Sequence, residues 1–176
     1  MLDPLADQTD ATAFGLGTIS PGAFNRASAR VRAYTGFTLT EGSYTAVARG
    51  PKVQLPERPV VSVTSVVDDD GVELEFTLRA GGMLDVACAG ENVTVEYEAG
   101  YTVLPDALVE LVCSIASRLD TVDPAAATGV QQETGGSESV TYGFDSYNAL
   151  AELTTGEKRA LDKMFPRRPG VVVMRP

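Results

Sequence analysis

The stretch 92–119, NVTVEYEAGYTVLPDALVELVCSIASRL, decides the fold. Its first part alternates. Val93, Val95 and Tyr97 share one face and Thr94, Glu96 and Glu98 the other, the period of a half-buried strand. Gly100 can take the positive φ that a reversal needs. Pro105 suits the first helical position, where no amide donor is required, and Asp106 lies well at the positive helix start. Leu108, Leu111, Val112, Ile115 and Leu119 then form one apolar stripe at helical spacing, with Val109, Cys113 and Ala116 in a second stripe beside it. Such a helix needs two neighbours. The second is either ordinary core beneath a sheet or another copy of the chain.

Upstream, Ser20-Pro21 reads as N-cap and first helical residue, Phe24, Ala27, Val31 and Tyr34 share a face, and Gly36 closes a helix over 20–35. Residues 1–17 read as a loose lead-in with a short helix at most. From 37 to 98 the pattern is of strands: 44–48 and 53–55 around Gly50-Pro51, 59–67, 72–78 returning from the Asp-Gly turn at 68–71, 83–86 after Gly81-Gly82, and 92–98. Beyond the central helix, 120–137 has no period and reads as a mobile loop, and 139–144 alternates as a short strand. Thr154 and Glu157 have capping-box spacing for a last helix, which Pro166 stops. The predicted class is α+β: a small helical bundle, with helices near 20–35, 104–119 and 154–165, and an antiparallel β-meander inserted at about 37–98. Residues 1–165 form one domain, followed by an extended tail at 166–176.

The bulk composition limits the chemistry. A chain of 176 residues with 44% apolar content is most simply one folded domain. No apolar run approaches the ~20 residues of a membrane span, and the acidic MLDPLADQTD start lacks the plan of a signal peptide, which predicts synthesis in a cytoplasm. Cys88 and Cys113 sit among apolar neighbours and read as buried thiols. The absence of histidine removes the commonest general base and metal ligand. Net charge is −10, and between Val67 and Leu111 eleven acids face the single base Arg79, whereas the last nineteen residues are basic. An acidic middle disfavours nucleic-acid binding there.

The candidate motifs are weak. Gly15-Leu16-Gly17-Thr18-Ile19-Ser20 lacks the last glycine of a dinucleotide fingerprint and a preceding strand. Asp68-Asp69-Asp70-Gly71 lacks the remaining ligands of a calcium loop and reads as a solvated turn. Asn92-Val93-Thr94 matches a glycosylation sequon inside a predicted strand. Glu96 and Glu98 could suggest paired acid and base, but read as the exposed face of an acidic sheet. No catalytic, cofactor or metal site is expected. What remains is architectural: the two-stripe helix, and a bare valine run behind Arg167-Arg168 that suits strand addition to a partner's edge.

Several segments in this order resemble the head-to-tail connector (adaptor, or head-completion) proteins of long-tailed bacteriophages. They are RVRAYTG at 30–36, VQLPERPVVSVTSV at 53–66, the strand–Gly-Tyr–Pro–helix unit at 93–119, SESVTYG at 137–143 and LTTGEKRALDKM at 153–164. The resemblance covers about 20–165. It implies a non-enzymatic virion protein, made in the cytoplasm of a bacterial host. Such proteins form a ring, commonly of twelve copies, beneath the portal, extend the DNA channel, and meet a downstream head-stopper or tail protein. Head stopper and tail terminator are neighbouring alternatives, and a monomeric binding module is a further one. On this reading Arg167, Arg168, Val171, Val172, Val173 and Met174 dock on the portal. Val109, Cys113 and Ala116 meet the next subunit. Asp68, Asp69, Asp70, Glu96 and Glu98 line a channel that passes double-stranded DNA without holding it.

Overall fold

The structure is a computed structural model; it describes residues 2–88, 90–121, 132–135, 138–141 and 152–166. Two compact units emerge, one helical (2–35 with 105–166) and one built of strands (36–104). The class is α+β, with small antiparallel sheets and, among the described residues, no barrel.

In the helical unit, α1 (Gln8–Ala13) opens with a full capping box: Asp7 accepts from the amides of Thr9 and Asp10, and Asp10 accepts from the Asp7 amide. The lead-in is therefore not loose. Leu5, Ala6, Ala11 and Ile19 are buried, and the Leu5 amide donates to the buried Ser28 hydroxyl at 2.8 Å. Helix α2 (Pro21–Thr35) buries Ala23, Phe24, Ala27 and Val31 and packs on α3 (Asp106–Asp120). Pro105 is the N-cap of α3 and not its first helical residue, so the helix begins one residue later, at Asp106, and Pro105 has extended backbone at ψ 135°. Leu108, Val112, Ile115 and Leu119 are buried, each contributing about 1.5–3 kcal/mol. Helix α4 (Thr155–Met164) carries the expected capping box, Thr154 with Glu157. It is tied to α3 by Arg118, whose guanidinium reaches both Glu157 carboxylate oxygens at 3.0 and 2.9 Å.

The strand unit contains β1 (Gly42–Arg49), β2 (Lys52–Gln54), β3 (Val60–Asp68), β4 (Phe76–Arg79), β5 (Met83–Val86) and β6 (Asn92–Ala99). These form two three-stranded antiparallel sheets, ordered β1-β6-β3 and β2-β5-β4. The insertion is antiparallel as expected, but of its neighbouring strands only β4 and β5 are successive, unlike those of a simple meander. The turn after β3 forms, with the Asp68 and Leu74 amides donating to the carbonyls of Val72 and Val66. The chain then leaves β3, and β4 pairs with β5 across a turn in which Gly81 and Gly82 both have positive φ. That tight local pairing competes with a longer return along β3. Strand β6 takes the centre of its sheet because its apolar face, Val93, Val95 and Tyr97, packs into a cluster shared with Val53, Leu84 and Val86 of the other sheet and with Leu55 just after β2. A further hairpin, β7 (Gln132–Gly135) with β8 (Glu138–Thr141), lies where loop and early strand were expected.

Candidate functional site

The outer face of the β1-β6-β3 sheet carries the acids. Register places Glu96 between Thr45 and Ser65, and Glu98 between Ser43 and Ser62. Ser65 donates to Glu96 at 3.1 Å and Ser62 to Glu98 at 3.0 Å. Both carboxylates are exposed, with hydroxyls beside them and, among the described residues, no ion pair. Such a face presents solvated negative charge. Among the described residues no three acidic or thiol groups converge to hold a metal ion.

The aspartates at 68–70 sit elsewhere, at the end of β3, where Asp68 pairs in register with Val93. Asp68 is half-buried, and one carboxylate oxygen accepts from the amides of Asp70 and Val72 at 3.0 and 2.8 Å. Its charge is spent on the turn itself. Asp69 and Asp70 are exposed, and Asn92 donates to Asp69 at 3.0 Å. The five acids expected to act together thus fall into a sheet-face pair and a turn-tip group.

The second stripe of α3 is placed differently from the expectation. Cys113 and Ala116 are fully buried within the chain itself, so neither offers surface to another copy, and only Val109 remains half-buried. The physical reason is α1, which packs on α3 and fills the space that the sequence left open. Burial, with lesser contributions from the charges of Asp10 and Asp7, pushes the Cys113 thiol up to about 11. This thiol is inert core. The docking candidates Arg167, Arg168, Val171, Val172, Val173 and Met174 lie outside the described residues.

One feature escaped the sequence reading. Arg58, Pro59, Val60, Leu78, Arg79 and Gly82 line a half-open pocket of about 340 Å³. Leu78 pairs in register with the buried Leu84 and is itself part of the pocket lining. The pairing of β2 with β5, with the Leu55 amide donating to the Gly82 carbonyl, brings 58–60 and 78–82 together, and no local pattern signals it.

No family model matches the chain, and no curated protein matches it. Among solved structures, the chain is similar to one described as the neck of an empty GTA particle computed with C6 symmetry. The TM-score is 0.48 and the identity 20%, over 91% of this chain and 84% of that one. It is also similar to one described as the virion of a native gene transfer agent particle, with TM-score 0.46 and 20% identity over 92% and 84%.

Proposed function

We propose that this chain is a structural neck protein of a tailed, phage-like particle. It forms a ring of about twelve copies beneath the portal, extends the DNA channel, and joins the head to a downstream stopper or tail protein. The observation that carries the reading is the unit at 93–119. Its alternating strand, its Gly100-Tyr101 reversal, Pro105 and the helix behind it stand in the order that the connector resemblance requires. The two solved structures of similar trace come from a particle neck and a virion; at their level of similarity the weight falls on the residues.

A conduit that passes DNA must not hold it. Glu96 and Glu98, exposed and in no ion pair among the described residues, would repel phosphate along a channel wall, with Asp69 and Asp70 as further candidates. Asp68 is left out, because its carboxylate closes its own turn. The tail at 166–176, with Arg167, Arg168 and 171–174, is the portal-docking segment in this proposal, and host cytoplasm followed by the head–tail joint of the virion is its location.

The test is reconstitution. Purified protein mixed with its portal is expected to form a large ring complex, and removing 166–176 is expected to abolish docking without unfolding the rest. A full-length protein that never joins the portal, with filled heads that keep their DNA and carry tails when it is missing, would overturn the reading. Normal docking by the truncated protein would overturn the role of the tail alone.

A further inference from the structure

We infer that the strand unit carries a matching knob and socket at opposite ends of β3, through which one copy of this chain engages a second copy head to tail. The inference deepens the ring reading and depends on it for closure of the assembly, while the contact itself stands on the following geometry.

The knob is the turn after β3. Asp68 fastens it through the amides of Asp70 and Val72, Asn92 holds Asp69, and Gly71 supplies a φ of +78°. A tip so constrained loses little freedom on binding. Val72 stands out from it at 57% exposure, with the exposed acids Asp69, Asp70 and Glu73 around it. A lone exposed valine is ordinary; one held on a rigid acidic tip is a shaped ligand.

The socket is the 340 Å³ pocket. Its floor is apolar, made by Pro59, Val60 and Leu78, and Leu78 is 39% exposed. A Cβ on Gly82 would come within 2.9 Å of a Val60 methyl, so glycine is what lets the β4–β5 turn lie on that floor. Its rim carries Arg58 and Arg79. Residues 36–104 hold eleven acids and only four bases, Arg49, Lys52, Arg58 and Arg79, so two of the four are on this rim. Arg58 lies over the Phe37 ring at 5.8 Å. Arg79 pairs with Asp85, its own side chain 64% exposed and that of Asp85 27%. A guanidinium carries five N–H donors, so an arginine that already has a partner can take an acidic one as well.

Val60 and Asp68 are the two ends of β3, which at ~3.3 Å per residue sets knob and socket roughly 25 Å apart. One molecule cannot fill its own socket. An apolar tip ringed by acids fits an apolar pocket rimmed by arginines, and two different patches make a heterologous contact, the kind that closes into rings. The pair is an anchor inside a larger contact, since a stable interface buries upwards of ~1,000 Å².

The experiment uses the full chain and sedimentation velocity across a range of concentrations, with circular dichroism as the check on folding. Wild type is expected to form oligomers beyond a dimer. Val72→Asp, which spoils the knob, and Leu78→Asp, which spoils the socket, are each expected to be monomeric. Ala80→Asp, at an exposed turn position lining the pocket, is the second socket variant and leaves the core untouched. A 1:1 mixture of a knob variant with a socket variant retains one good contact and is expected to stop at heterodimers. Single variants that assemble like wild type, a mixture that stays monomeric, or a wild type monomeric throughout would each overturn the inference; the last would point to an acidic peptide of another protein as the occupant. Portal capture reads the neck function separately. Capture unchanged in the variants removes the knob and keeps the neck, and oligomers without capture do the reverse.

Discussion

Gly100 lies so close to Thr40 that a Cβ on it would sit 2.1 Å from the Thr40 carbonyl oxygen. Its φ of +103° alone would favour glycine, and the contact with Thr40 makes the requirement absolute. At this point the chain leaves β6, and Tyr101 bridges back to Thr40 before the run toward Pro105. The unit that decides the fold therefore turns on one hydrogen atom.

Gly100→Ala is expected to destabilise the protein by about 2–4 kcal/mol, from backbone strain together with the clash. Gly50→Ala is the control, since Gly50 also has positive φ (+97°) but nothing within 4 Å of its added carbon; it is expected to cost about 1 kcal/mol. Urea unfolding midpoints check both. Equal losses would refute the role given to Thr40.

Glu157 both caps α4 and receives Arg118 in a pair whose side chains are only 21% and 12% exposed. Glu157→Ala is expected to cost more than Arg118→Ala, with roughly 1 kcal/mol of coupling in a double-mutant cycle. Additive losses would show that the pair adds nothing to the tie between α3 and α4.

The Cys113 thiol, raised to about 11 against an ordinary 9.0, is expected to resist a thiol reagent at pH 8 in the folded protein while half-buried Cys88 reacts. The folded state keeps its proton longer than the unfolded state. This contribution to stability is thus complete below pH 9 and is lost as pH rises through about 11. Burial raises the Tyr97 hydroxyl too, adding to the same alkaline loss. Cys113→Ala is expected to make the alkaline decline of the unfolding midpoint shallower; an unchanged slope would assign the decline to other groups.

Glu96→Lys with Glu98→Lys is expected to shift stability by about 0.5 kcal/mol or less, because both side chains are exposed. The same change is expected to create salt-sensitive binding to double-stranded DNA that the wild type lacks. Fluorescence anisotropy at low salt reads this, and particles carrying the variant are expected to release DNA more slowly. Equal DNA binding by both proteins would remove the sheet face from the channel proposal.

The sequence by itself determined the elements whose signal is local. The 92–98 alternation, the α3 stripe, the Thr154 and Glu157 cap and the Asp-Gly turn all have their causes within a few residues, and they stand in the structure nearly to the residue. The acidic sheet face was legible for the same reason, because a period of two fixes which side chains share a face. Tertiary structure alone decided which strands become neighbours, since β1 meets β6 across more than forty residues and no pattern in either names the other. It alone decided that Cys113 and Ala116 are core, because α1 comes from a lead-in with too few apolar residues to announce where it docks. The pocket between 58–60 and 78–82 is the same kind of outcome. Periodicity says which face of an element is buried, but the element that buries it is chosen by the competition among all the faces of the chain.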